Sequence, residues 1–273
     1  MPAPGARPDY GLFGPTSVTW RVMSEPVMWV AGVQALYLQA LHPRVMRGTW
    51  QNSSFRDPRQ AWGRFTRTID YVRVRTYGTL PEVERAGRRL RQLHAALHGT
   101  DPDGRRFRLA EPQLLLWVHC AEVSSAAAIA RRSGIRVSPA ELDQFVAEQQ
   151  RSAELIGLDP RTVPGSMAEL TGYLRAMRPE LRACPEAKRA LRLSFTPRLP
   201  TALLPLGLVV PPVNLLAFAS LPDWARRLYG IPSPPLTDAA VTAALRAAHQ
   251  STTRLPVLVP GAVQARRLMR AAA

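Results

Sequence analysis

Apolar positions recur along this chain at the three-to-four-residue spacing of helices, and convincing period-two strands are absent. Around residue 64, Trp62, Phe65, Ile69 and Val72 form one stripe, and Arg64, Arg67, Thr68, Tyr71 and Arg75 take the remaining side. Val72–Thr76 alternates locally but continues this helix. A second stripe, Val83, Ala86, Gly87, Leu90 and Leu97, carries His94 among its apolar members. Asp57-Pro58 reads as the start of the first helix. Thr79–Glu82, Ser138–Glu141 and Ser166–Glu169 have the capping-box form, and Gly99 stands where a helix-closing glycine is expected. Asp101–Gly104 is then a turn, and further helices are predicted over 111–132, 139–157, 166–179, 185–194, 213–229 and 237–250.

The expected class is all-α, a single domain of roughly ten or more helices. Residues 1–12 read as a flexible leader, 13–260 as the domain and 261–273 as a loosely docked tail, with no repeat or linker between them. At 273 residues and 46% hydrophobic content the chain can bury a sizeable core. Two uncharged or nearly uncharged stretches, 26–42 and 201–221, test for membrane spans. The first is short and holds two glutamines, and the second is broken by Pro205, Pro211 and Pro212. Both read as helices buried in the core, the second with the option of dipping into a membrane surface.

Charge changes the picture less than its size suggests. The balance is 36 basic to 20 acidic residues, net +16, and Lys188 is the single lysine. The arginines are spread along the chain and interleaved with acids rather than gathered in an arm, so no nucleic-acid partner is expected. Cys120 and Cys184 are the only cysteines and give neither a disulfide framework nor a thiolate metal site. No charged segment leads into an apolar one at the N-terminus, which reads as intracellular. Nucleotide-binding glycine loops, HExxH, GxSxG and EF-hand patterns are absent.

The chemistry must therefore come from histidines and the arginine face. His94 and His119 compete evenly as metal ligands: each lies on an apolar helix face, where a neutral imidazole serves equally as an ordinary core residue. His94 and His98 have the i, i+4 spacing of a zinc pair, but no third ligand is evident. His42 ends an apolar helix before Pro43 and could cap carbonyls or assist at a site. His249 reads as structural. The Arg64 face is either a solvated basic surface or a site for carboxylates, which guanidinium grips with two parallel hydrogen bonds.

Seven segments in order then carry a resemblance. HPRV (42–45), SSFRDP (53–58), RFTRT (64–68), YGTLPE (77–82), RQLHAALHG (91–99), LLLWVHCAEV (114–123) and LPDWARRLYGIP (221–232) resemble the MpaB-like oxygenase and latex-clearing-protein superfamily over about residues 12–235. The resemblance implies a globin-reminiscent helical fold holding haem b on one axial histidine. It also implies dioxygen chemistry on an apolar, isoprenoid-like small molecule; an electron donor is a further expected partner, and the apolar stretch 201–221 leaves room for a peripheral membrane contact or a dimer. Carried over by motif, the Arg-x-x-x-Thr pair is Arg64 and Thr68, and the axial ligand is His94, oriented by a hydrogen-bond acceptor behind the ring. His119 is the reserve ligand, and His42 a distal or propionate partner. The distal lysine of some latex-clearing members falls on Arg67, which cannot ligate iron as an amine. The competing reading is a non-catalytic protein of the same fold that binds an apolar ligand or a membrane surface.

Overall fold

The computed structural model describes residues 8–53, 58–196, 207–231, 237–252 and 260–272. Within them the chain is a single all-α domain. In chain order the helices are α1 (Val18–Met23), α2 (Met28–Gln39), α3 (Pro43–Gln51), α4 (Pro58–Tyr77), α5 (Leu80–Ala96), α6 (Pro112–Ser133) and α7 (Pro139–Leu155). They continue with α8 (Met167–Met177), α9 (Pro185–Phe195), α10 (Val210–Ala219), α11 (Asp223–Leu228), α12 (Thr237–Thr252) and α13 (Pro260–Ala272).

Local chemistry sets these boundaries. Both halves of the capping box form at Thr79–Glu82 and Ser138–Glu141. At Ser166 only the hydroxyl half forms, because Glu169 accepts from Gly165 N–H instead. Pro43, Pro112, Pro139 and Pro185 each sit at the start of a helix, where the missing N–H costs nothing. Asp57 lies outside the described residues, and α4 begins at Pro58 as the sequence predicts.

Three expectations fail. The His94 helix stops at Ala96, and Gly99 is not its cap: His98–Thr100 form a short strand, β1, antiparallel to β2 (Arg106–Arg108) across the turn at Asp101–Gly104. A Cβ on Gly99 would strike the Phe107 ring at 2.2 Å, so the glycine serves a close cross-strand contact. The helix expected over 213–229 is two helices broken at Ser220–Pro222. The buried Arg226 guanidinium holds that break by donating to the carbonyls of Ala219 and Leu221. The segment from Gly261, expected to be a loose tail, is helical and packed against α1 and α4. Ala262 and Ala265 are buried, and Arg266 pairs with Glu25 at 3.0 Å.

The centre of the core is α6, which packs on α2, α12, α7 and α8. Small buried residues on both partners let α2 and α6 approach closely: Ala31 and Ala35 on one, Ala121, Ala127 and Ala130 on the other. Trp117 fills the gap beside them and donates its indole N–H to Gln39 O at 3.1 Å. Among the described residues α6 is the one helix long and apolar enough to cross a membrane, and 67% of its apolar window is buried inside the protein. It is the core helix of this domain.

Candidate functional site

Helices α4 and α5 form an antiparallel pair closed at Gly78. On α4, Arg64, Thr68, Tyr71 and Arg75 follow at i, i+4, i+7 and i+11, which places all four on one side of the helix. That side becomes more buried towards Arg75. Across from its inner end, α6 presents His119 and Glu122, three residues apart and so on one face. The result is a polar seam with two groups of residues.

The outer group is Arg64 with His94. Arg64 donates to Thr49 O and to Ser53 Oγ, and no carboxylate among the described residues pairs with it. Burial, then the like charge of Arg67, lowers its affinity for a proton. His94 is half-buried in the last turn of α5, alongside the outer end of α4, and its Nδ1 has no hydrogen-bond partner. Burial first, and the Arg64 cation second, lower its pKa, so the ring is neutral near pH 7. The acceptor expected behind His94 is therefore not found among the described residues, and the ring keeps an unengaged nitrogen.

The inner group is Tyr71, Arg75, His119 and Glu122. Arg75 is buried and grips Glu122 with two hydrogen bonds, 2.5 and 3.2 Å. Burial raises the Glu122 pKa, but the Arg75 charge and its hydrogen bonds outweigh that and hold the carboxyl below its usual range. The Arg75 guanidinium also lies 5.9 Å from the Tyr71 ring centre. The Tyr71 hydroxyl and His119 Nε2 are both buried without a partner. Burial pushes His119 down to about 4, with Glu122 opposing and Arg75 assisting. Burial likewise raises the Tyr71 pKa, so its hydroxyl keeps its proton.

The structure thus joins Arg64 to His94 and places His119 deeper, with partners that the sequence reading did not single out. Glu122 was missed, although it is the one acid in the apolar run 112–130 and stands three residues from His119. Arg67 and Thr68 are exposed at the outer rim. The Thr68 hydroxyl donates to Arg64 O at 3.1 Å, which leaves its oxygen able to accept but removes it as a donor. His42 stands apart. As N-cap of α3 its ring tilts against Trp117, centroids 6.5 Å apart, and the charges around it are Glu180, Arg44 and Arg182. Trp117 and His119 are two positions apart on α6, nearly opposite faces, so His42 is behind the helix rather than in the seam. His98 lies in β1 and bonds to Ala96 O, which removes the i, i+4 pair with His94. Among the described residues no group of three His, Cys, Asp or Glu is placed to hold a metal ion. A cleft of about 400 Å³ between residues 13–17 and α7 contains none of these residues. Its Glu148 is engaged in accepting from the first N–H groups of α1.

No curated protein and no solved structure matches the chain. One family model does, over residues 20–251, which runs from α1 to the end of α12 and includes both groups of the seam. That span covers most of the sequence, and the chain belongs to the family described as "ER-bound oxygenase mpaB/B'/Rubber oxygenase, catalytic domain".

Proposed function

We propose that this protein is a haem b-dependent oxygenase that acts on an apolar small molecule, with the cofactor held in the seam between α4, α5 and α6. One observation carries the reading: a neutral, half-buried imidazole with an unengaged nitrogen lies beside a half-buried guanidinium that has no carboxylate partner among the described residues. Haem b requires that pair of functions, an imidazole for its iron and a cation for its propionates. These residues fit the group. When bound, haem b supplies dioxygen chemistry.

The chain's own residues divide the remaining tasks. His94 would hold the iron of that group, its ring already neutral and so with a nitrogen lone pair to offer. Arg64 and the exposed Arg67 grip carboxylates at the outer end of the seam. Tyr71 offers a buried O–H donor, taking the role that Thr68 cannot fill. His119 offers a neutral ring deeper in the seam, within the field of the Arg75–Glu122 pair. His42 takes no part. The apolar substrate that the family resemblance implies and an electron donor complete the set of partners.

Haemin titration of three proteins tests the reading. Wild type and His119→Ala are expected to take up haem with near-stoichiometric Soret absorbance, and His94→Ala to lose it. Retention by His94→Ala with loss by His119→Ala moves the ligand to His119. Refusal of haem by folded wild type overturns the proposal.

A further inference from the structure

The outward faces of α2, α9 and α10 are unlike the rest of the surface. Leu208, two residues ahead of α10, is 86% exposed, and on α10 itself Pro212 and Leu215 (61%) are exposed at i and i+3, so the entry and outer side of this helix are apolar. The opposite side of the same helix buries Asn214, Ala217 and Phe218. On α2, Trp29, Gly32 and Leu36 face outward, while Ala31, Ala35 and Leu38 are buried. One hydrogen-bonded knot fixes the three helices side by side. Tyr37 and Ser194 share a hydrogen bond of 2.7 Å, and Asn214 donates to Ser194 O at 2.5 Å. Tyr37 also meets Phe218 edge to face.

Cations border this surface. Residues 187–222 contain no Asp or Glu, and α9 exposes Lys188, Arg189 and Arg192. Lys188 and Arg192 have no carboxylate partner among the described residues, whereas the adjacent Glu186 is already tied to Arg47 at 3.2 Å. Apolar residues including a tryptophan, flanked by unpaired cations, match the interfacial layer of an anionic bilayer. At ten residues α10 is too short to cross the hydrocarbon layer, so it can only lie along it.

We propose that the α2–α9–α10 face docks on an anionic lipid bilayer, peripherally and without insertion of a spanning segment. A second copy of the chain fits the face less well. It would bring its own Lys188 and Arg192 to the rim and add a second +16 body, whereas anionic lipid neutralises both. The inference rests on neither His94 nor haem, so it stands or falls separately from the oxygenase reading.

Sedimentation with vesicles tests it: pure phosphatidylcholine against phosphatidylcholine with about one-third phosphatidylglycerol. The protein is expected to pellet with the anionic vesicles alone. Leu208→Glu/Leu215→Glu and Lys188→Glu/Arg192→Glu should each weaken that binding by about tenfold or more while keeping the helical circular dichroism of the parent. Absence of binding to anionic vesicles overturns the proposal. So does binding that survives Leu208→Glu/Leu215→Glu and vanishes with salt, which assigns it to diffuse charge. A dimer in light scattering that Leu208→Glu/Leu215→Glu dissociates, with no vesicle binding, assigns the face to self-association.

Discussion

The two sides of α6 were built under opposite rules. Towards α2 the helix presents alanines and the wholly buried Trp117, whose one polar atom is satisfied by Gln39 O. Towards α4 it presents His119 and Glu122, and that side leaves the Tyr71 hydroxyl and His119 Nε2 without partners. Buried polar atoms are nearly always paired because an orphan costs on the order of 1–3 kcal/mol. Orphans occur on both sides, Gln34 Oε1 of α2 and His42 Nδ1 included; what sets the α4 side apart is that its orphans stand with the buried Arg75–Glu122 pair, and it is the side proposed to hold the cofactor.

This contrast makes graded predictions. Trp117→Ala removes the largest wholly buried side chain from the packed side and should cost about 3–5 kcal/mol, read by urea unfolding. On the seam side, acid should act through His119. Its folded-state pKa lies near 4, below the ordinary histidine value, so the unfolded chain binds the proton first. The neutral ring's contribution is therefore complete above pH 6.5 and is lost as pH falls towards 4. The loss is about 3 kcal/mol across that window, and His119→Gln should flatten the profile of the haem-free protein.

Next comes Arg75→Met, which strands the Glu122 carboxylate. A cost of about 2 kcal/mol is expected, below the range for fully buried pairs because Glu122 is partly exposed, and Arg75→Met/Glu122→Gln should recover part of it. The smallest effect is expected at the exposed Thr68. Thr68→Val removes only a bond to its own helix and should change stability by less than about 0.5 kcal/mol. Haem uptake should survive it as well. A large loss of haem at Thr68→Val would blur the line drawn between donor and bystander in the seam.

Much of the fold was legible because it rests on local signals. Capping residues and helix-opening prolines placed most helix starts within a residue or two, and the ordered motifs identified the family. What escaped depends on contacts distant in sequence. The strand at His98–Thr100 exists because Phe107 comes back across Gly99, a pairing that no periodicity before the turn reveals. The break at Ser220–Pro222 is held by Arg226 and by Arg132, which donates to Ser220 O from 88 positions away. Docking of α13 depends on Gly261 meeting Tyr77 and on Arg266 reaching Glu25. The site divided in the same way. His94 and Arg64 were put forward from spacing and resemblance and stand near each other in the structure, but the Arg75–Glu122 pair links residues 47 positions apart on two helices. His42 faces Trp117 and so lies behind α6, away from the seam, a placement that the local signal at Pro43 does not reveal.

The central claim, that the seam between α4, α5 and α6 is a haem site, is tested most directly by one optical spectrum. The protein would be purified from haem-supplemented cells and recorded as isolated, after dithionite and after carbon monoxide. The account predicts a Soret band at close to one haem per chain that shifts with each addition. A folded, colourless protein that also refuses added haemin would contradict it.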